Sequence, residues 1–273
     1  MPELRPMWTT VGGLRMFARA STRAATSAGP IVLVHGVAVS SRNMAPTAEI
    51  LAEEFPVYAP DLPGHGNSEH PARPLDTAQL ADALHSWWDA VGLPPALFVG
   101  NSFGCQVIAE LAVRHPGVAA GAVLQGPTID GFARSRARQL GRWLINATRE
   151  ASTQQAVLLR DWRQAGIRTM VAGGRHMFEH RIEDVLPDMK VPTLVVRGAR
   201  DPIVSQEWTR RVVDLLPNGR LVVISEATHT IPFKYADAFA QVVRAFARRS
   251  VWSGPEGSAG RAVSEWRPSP RSG

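Results

Sequence analysis

The stretch "ALFVGNSFGCQVIAELAVRH", residues 96–115, carries the clearest structural signal in the chain. It begins with a short apolar run typical of a buried strand and ends with the residue pattern of a helix. Between the two, Ser102 lies in a Gly-x-Ser-x-Gly sequence formed with Gly100 and Gly104. A serine hydroxyl needs an exposed position and a nearby base to act as a nucleophile, and a tight turn from strand to helix provides the position. The stretch therefore predicts a nucleophile elbow with Ser102 at its tip.

The same alternation of strand and helix extends along the chain. A Gly12-Gly13 turn is expected to join "MWTTV" to a strand at 14–21 in a hairpin. Further apolar runs predict strands at 31–35, 57–60, 96–100, 121–125, 193–198 and 221–225. Helical patterns occupy 42–54, 78–91, 103–114, 206–216 and 235–249. Such regular alternation predicts an α/β fold with a doubly wound, mostly parallel sheet that is covered on both faces.

The alternation is interrupted once, after the strand at 121–125. A long helix-like stretch, rich in Trp and Met, separates it from the next strand at 193–198. Connections of this length are usually functional insertions rather than bare loops. The expected division is a core in two pieces and one inserted helical cap: 1–126, 190–249 and 127–189. The remaining residues, 250–273, are rich in Gly, Pro, Ser and Arg without periodicity, and we expect them to form a disordered tail.

The composition indicates a globular chain. Of its 273 residues, 45% are hydrophobic and 20% are charged. No apolar run approaches the roughly 18 residues that a membrane span requires, and "MPELRPMWTT" offers no core for a signal peptide. The single cysteine, Cys105, excludes an internal disulfide, and no cysteine and histidine spacing resembles that of a zinc site. We therefore expect a cytoplasmic protein that spans no membrane and needs neither a metal nor an organic cofactor.

The basic charge is concentrated in one segment. The formal net charge is +6, and residues 131–180 carry nine arginines against three acidic residues, which accounts for the whole excess. Arg134, Arg138 and Arg142 recur every four residues, as on the solvated face of an amphipathic helix. No nucleic-acid-binding motif accompanies them. The expected partner is therefore a small-molecule substrate rather than nucleic acid.

A nucleophilic serine requires a histidine base, and the base requires a carboxylate to orient it. His229, in "SEATHTIPF", comes just after the last predicted strand. Asp201, in "RGARDPIV", follows the predicted strand at 193–198. Asp130, in "QGPTID", follows the predicted strand at 121–125. The turn around Asp201 directs this carboxylate toward the histidine loop 28 residues further on. The sequence therefore favours Asp201 as the acid, with Asp130 as its rival.

An oxyanion hole requires backbone N–H groups directed at the developing negative charge. We expect one from Phe103, at the start of the helix after the elbow, and one from Val37, in "HGVAVSS". His35, in the same segment, is expected to be a buried structural histidine that bridges two loops. The glycines of "DLPGHGNS", residues 61–68, are typical of a tight turn, and Cys105 is expected to pack rather than react.

These motifs together resemble the α/β-hydrolase superfamily. "HGVAVS", "DLPGHGNS", "GNSFG", "RGARDPIV" and "THTIPF" have its order and spacing, over roughly residues 8–249. The resemblance implies an eight-stranded, mostly parallel sheet, a catalytic triad above its carboxyl edge and a helical cap after the sixth strand. A nucleophilic aspartate would indicate an epoxide hydrolase or a dehalogenase, whereas this chain has Ser102.

The elbow itself is similar to that of meta-cleavage hydrolases, which split a carbon–carbon bond in vinylogous 1,5-diketones. The resemblance implies that Asn101 lies beside the oxyanion site. Many members of that group have an aromatic residue directly after the catalytic histidine, whereas this chain has Thr230.

Three functional hypotheses follow. The first is a serine hydrolase of small carboxylic esters, thioesters or lactones that forms an acyl-enzyme on Ser102. The second uses the same residues on a carbon–carbon bond, and the third is a hydrolase-like ligand-binding protein with little turnover. The candidate substrate-binding residues are Asn101, Trp143, Trp162, Met170, Met177 and Phe178.

Overall fold

The computed structural model describes residues 3–22, 29–149, 152–252 and 263–266. These residues form a nine-stranded sheet with strand order β1-β2-β4-β3-β5-β6-β7-β8-β9. The strands are β1 (Leu4–Val11), β2 (Leu14–Ser21), β3 (Ile31–Val34), β4 (Val57–Pro60), β5 (Ala96–Asn101), β6 (Ala119–Gln125), β7 (Thr193–Gly198), β8 (Gly219–Ile224) and β9 (Val263–Trp266). The helices are α1 (Ala45–Leu51), α2 (Thr77–Val91), α3 (Phe103–Arg114), α4 (Arg136–Ala147), α5 (Ser152–Glu179), α6 (Ile182–Val185), α7 (Gln206–Leu215), α8 (Ile231–Lys234) and α9 (Ala236–Phe246).

The sheet is mostly parallel, as expected. β1 and β2 pair antiparallel across the Gly12-Gly13 turn, where both glycines have positive φ, and β2 pairs antiparallel with β4. All the other pairs are parallel. Because the carboxyl ends of parallel strands meet at one edge of a sheet, the loops that follow β3, β5, β6, β7 and β8 converge there.

Helices cover both faces of the sheet, which explains why its central strands are continuously apolar. In β3, Val32 and Val34 belong to the core shared with α2, α3 and α7. Ile31 and Leu33 point to the opposite face and belong to the core shared with α1 and α9. Successive side chains of a strand alternate between faces, so a strand that is buried on both sides needs an apolar residue at every position.

The stretch between β6 and β7 contains α4, α5 and α6. The long helix α5 is interrupted at Gly166, whose φ of 69° and ψ of 161° are non-helical. A side chain at that φ would be strained, so glycine permits the bend. Within the described ranges, no helix combines the length and the apolar character that crossing a membrane requires.

The C-terminal segment differs from the disordered tail expected for residues 250–273. The helical structure continues to Val251, and the Trp252 ring lies against Phe55 with 5.5 Å between ring centroids. Residues 263–266 form β9, which pairs parallel with β8. The physical reason is that β8 would otherwise present unpaired backbone groups at the sheet edge. Composition alone did not reveal that a tail segment pairs there, and the rest of the tail lies outside the described residues.

Candidate active site

The elbow around Ser102 has the strained geometry that the sequence predicted. Ser102 has φ 56° and ψ −116°, an unusual conformation for a residue with a side chain, and it precedes α3 directly. A Cβ atom on Gly104 would lie 2.4 Å from the carbonyl oxygen of Val34, and one on Gly100 would lie 2.8 Å from Ile108. Only glycine fits at either position, so the two glycines allow the turn to present the serine.

Asp201 and His229 form a buried hydrogen-bonded pair. Asp201 Oδ2 lies 2.8 Å from Nδ1 of His229, and the two residues are 5% and 6% exposed. The other carboxylate oxygen, Oδ1, accepts the backbone N–H groups of Ile203 and Val204 at 2.7 and 3.1 Å. The carboxylate is therefore fixed from one side and holds the imidazole from the other, as in an acid–histidine pair.

Sequence reasoning missed the residue that supports the Asp201 loop. Arg197, at 7% exposure, donates from Nη2 to the carbonyl oxygen of Asp201 and from Nε to that of Val204. Burial lowers the pKa of its guanidinium, and the nearby Asp201 charge counteracts the shift.

Asp130, the rival acid, has a different partner. Its Oδ2 accepts from Arg142 Nη1 at 2.8 Å and from the backbone N–H of Ser205 at 3.1 Å. Its Oδ1 accepts the N–H of Phe132 at 3.0 Å. The carboxylate is thus engaged in an ion pair that joins α4 to the loop before α7.

The two amides expected in an oxyanion hole come from two different segments of the chain. Phe103 is the first residue of α3, and Val37 lies in the loop after β3 and lines the same cavity as Ser102 and His229. No described residue accepts a hydrogen bond from either N–H. Ser102 Oγ lies 3.4 Å from Thr128 Oγ1, a contact that the sequence did not suggest.

The cavity above Ser102 has a volume of about 420 Å³ and lies between the sheet edge and helices α4 and α5. Ser102 and His229 line it together with every candidate substrate-binding residue: Asn101, Trp143, Trp162, Met170, Met177 and Phe178. Further apolar side chains complete much of the wall: Val37, Val39, Ile129, Leu140, Leu158 and Ile203. The Trp143 and Trp162 rings are 5.6 Å apart. Such a lining suits an apolar group attached to a small polar reacting centre.

Buried carboxamides connect the cavity wall to the His229 loop. Gln125 Nε2 donates to the carbonyl oxygen of His229, and Asn101 Nδ2 donates to Gln125 Oε1. Asn43 then donates to Asn101, and Gln154 of α5 donates to Asn43. We call these four residues the carboxamide chain. No sequence signal pointed to it, because its members come from four separate segments.

Ion pairs hold the inserted helices to the core. Arg42 donates to Asp161 of α5 at 2.8 Å, and Asp161 also accepts from Ser40. Within the inserted stretch itself, Arg134 binds both carboxylate oxygens of Glu183. Of the nine arginines in residues 131–180, only Arg134 and Arg142 are half-buried, and the others are exposed. Most of them therefore face water, as expected. The expectation of a solvated helix face is wrong for Arg134 and Arg142, because ion pairs with Glu183 and Asp130 draw them inward.

His35 is a structural residue, as expected. It is fully buried, its Nδ1 lies 2.8 Å from the carbonyl oxygen of Gly36, and its Nε2 accepts the N–H of Leu62. Burial lowers its pKa. Burial also lowers the pKa of the neighbouring His65 to about 3. Both rings are therefore held neutral inside the protein.

Cys105 packs beneath the elbow. It is fully buried, and its Sγ lies 3.4 and 3.3 Å from the carbonyl oxygens of Gly100 and Gln125. Burial raises the pKa of the thiol far above its ordinary range. A thiol in this state is a poor nucleophile.

The sequence model of the alpha/beta hydrolase family matches residues 31–242, which is more than half of the chain. The protein belongs to this family, and its motifs indicated the family correctly.

Individual relatives include several hydrolases. A pimeloyl-(acyl-carrier protein) methyl ester esterase of Stenotrophomonas maltophilia is 25% identical over 81% of this chain and 94% of its own length. An (E)-2-((N-methylformamido)methylene)succinate hydrolase of Acinetobacter baylyi is 25% identical over 80% of this chain and 89% of its own length. The crystal structure of an enol-lactonase from Burkholderia xenovorans superimposes with a TM-score of 0.72, at 23% identity, over 89% of this chain and all of that one. At this identity, the structural likeness shows a shared fold.

Proposed function

We propose that the protein is a serine hydrolase of small carboxylic esters, thioesters or lactones. The observation that carries the proposal is the Asp201–His229 pair at 2.8 Å, in a cavity that also contains the strained Ser102. The esterase among the relatives and the enol-lactonase with the same fold support the choice of ester and lactone bonds.

In the proposed mechanism, His229 accepts the proton of Ser102 through Nε2, because Nδ1 faces Asp201. Ser102 Oγ attacks the carbonyl carbon, and the N–H groups of Phe103 and Val37 stabilise the oxyanion. The imidazolium then protonates the departing alcohol, thiol or ring oxygen, which leaves an acyl group on Ser102. Water activated by His229 hydrolyses this acyl-enzyme and restores the serine.

Asp201 acts by holding the imidazole in the tautomer that leaves Nε2 unprotonated, and its charge stabilises the imidazolium. Its two backbone hydrogen bonds hold the carboxylate in place and directed at His229. The apolar cavity wall binds the acyl or alcohol portion of the substrate, with Trp143, Trp162 and Phe178 as the aromatic part of that wall.

A fluorophosphonate probe tests the nucleophile. We expect it to add covalently to Ser102, and we expect Ser102→Ala to abolish labelling and to leave about a thousandth or less of the turnover. Ser86→Ala, at an exposed position on α2, is the control and should retain both properties.

The substrates for this test are acyl esters, lactones and dienone acids. Turnover of dienone acids alone would favour carbon–carbon cleavage. Labelling of Ser102 without turnover of any of these compounds would favour a ligand-binding protein. Continued labelling of Ser102→Ala would contradict the assignment of the nucleophile.

A further inference from the structure

The contact between Gln125 and His229 sets the direction of every hydrogen bond in the carboxamide chain. There, Gln125 meets the carbonyl oxygen of His229, at 2.9 Å, and a carbonyl oxygen can only accept. Gln125 must therefore present its NH₂ group to His229 and its oxygen to Asn101. This fixes the orientation of the Gln125 amide.

The orientation of the Gln125 amide in turn fixes the orientation of each of the other three amides. Asn101 donates to Gln125, so its oxygen accepts from Asn43, at 3.4 Å. Asn43 Oδ1 then accepts from Gln154 Nε2, at 3.2 Å. Reversing any one amide would place two donors or two acceptors face to face. The free end of the chain, Gln154 Oε1, is therefore obliged to be an acceptor.

The residue that carries this terminal acceptor forms part of the cavity wall. Gln154, Leu158 and Trp162 are spaced by four residues on α5, and all three line the cavity, so this face of the helix is turned toward it. Gln154 is 1% exposed, and its Oε1 has no hydrogen-bond partner among the described residues. A buried acceptor without a donor is costly, so a molecule that supplies the donor gains more than an ordinary hydrogen bond would give.

We propose that Gln154 selects substrates that carry a hydroxyl or amide N–H group on the portion bound by the cavity. The substrate class is then a hydroxyacyl or acylamino ester or lactone rather than a plain alkyl ester. This inference rests on the proposed function, in which the cavity binds the substrate of Ser102.

The test uses pairs of methyl esters that differ at one position. In each pair, one ester carries a hydroxyl group on its acyl chain, at C3 or at one position from C6 to C10. Its matched partner carries a methoxy group at the same position. The methoxy oxygen accepts a hydrogen bond but cannot donate one. At the position that reaches Gln154, we expect kcat/KM to be about 10- to 100-fold higher for the hydroxy ester. In Gln154→Met, which keeps the length of the side chain, this ratio should fall to near one.

Gln155→Met is the matched control, because Gln155 is the next residue of α5 and is exposed. It should keep the wild-type ratio. A ratio near one at every position in the wild type would overturn the proposal. A ratio that persists in Gln154→Met would overturn it as well, since another group would then recognise the donor.

A binding measurement separates this inference from the proposed function. In Ser102→Ala, titration calorimetry measures occupation of the cavity without turnover. Tighter binding of the hydroxy ester, lost when Gln154→Met is added, supports the inference even if the wild type hydrolyses no ester. Equal binding of both esters would overturn the inference even if esters are hydrolysed.

Discussion

Asp201 and Asp130 follow neighbouring strands at the same edge of the sheet, yet they are used differently. Both side chains are almost completely buried, and each accepts hydrogen bonds from two backbone N–H groups. The difference is the third partner, which is the His229 imidazole for Asp201 and the Arg142 guanidinium for Asp130.

The comparison shows that position at the sheet edge does not determine the role of a carboxylate. A guanidinium remains charged and binds as a permanent cation, so Asp130 joins α4 to the core. An imidazole gains and loses a proton near neutral pH, so Asp201 can orient a base. Substitution by asparagine should therefore lower mainly the activity at Asp201 and mainly the stability at Asp130.

The largest expected effect is on catalysis, at Asp201. Asp201→Asn should lower kcat by about 10³- to 10⁴-fold, because the amide NH₂ would favour the imidazole tautomer that cannot accept the serine proton. The backbone hydrogen bonds to Oδ1 can remain, so the melting temperature should change little. Steady-state kinetics and thermal unfolding measure the two quantities. A large loss of kcat in Asp130→Asn but not in Asp201→Asn would reverse the assignment.

The next effect is on stability, at Asp130. Asp130→Asn should lower the free energy of unfolding by about 3 kcal/mol, because it breaks a mostly buried ion pair and leaves Arg142 without its carboxylate. kcat should stay within about threefold of the wild type if Asp130 is structural. Asp82→Asn is the control, since the Asp82–Arg114 pair is about 40% exposed. Its cost should be below about 1 kcal/mol. Urea unfolding measures all three proteins.

Buried histidines that have no carboxylate partner should make the stability of the protein depend on pH. Burial lowers the pKa of His35, and it lowers that of His65 to about 3, whereas an unfolded histidine titrates near 6.5. Between these values the unfolded chain binds protons that the folded protein does not. The free energy of unfolding should therefore fall below pH 6.5, by up to about 1.4 kcal/mol per pH unit from His65, and His35 should contribute in the same direction.

Urea unfolding at pH 7, 6 and 5 checks this dependence. His65→Gln should remove part of the slope, whereas His70→Gln, at an exposed position, should not. A stability that is constant from pH 7 to pH 5 would contradict the prediction.

The smallest effect is expected at Arg138, which lies one helical turn before Arg142 on α4. Arg138 is exposed, so Arg138→Glu should change kcat/KM by less than about twofold from low salt to about 0.3 M. Arg142→Glu, on the same helix, would place a carboxylate against Asp130 and should destabilise the protein. A strong salt dependence of the wild type that disappears in Arg138→Glu would instead indicate steering of an anionic substrate.

The sequence predicted the sheet and the elbow because their signals are local. Apolar runs mark β3 and β5 through burial on both faces, and the glycines around Ser102 mark a turn that admits no side chain. The Asp201–His229 contact was also predictable, since each residue follows a parallel strand and such strand ends meet at one edge.

Other features depend on pairs of residues that have no local pattern. Arg42 and Asp161 lie 119 residues apart, and neither side chain indicates the other in the sequence. The carboxamide chain likewise joins residues whose separate patterns are those of ordinary helix and strand positions. The pairing of β9 with β8 depends on an open sheet edge that exists only after the sheet has formed.

Because Cys105 is buried, its reactivity reports how often the structure around it opens. Its thiol is the single one in the protein, is fully enclosed under the elbow and has a raised pKa, so thiol reagents react with it only after the surrounding structure separates. The rate of modification in native buffer thus measures how often the sheet and α3 part, without any added label. A cysteine introduced at the buried position of Ala165 on α5 would report the opening of the inserted helices in the same way, so one experiment would compare them with the core.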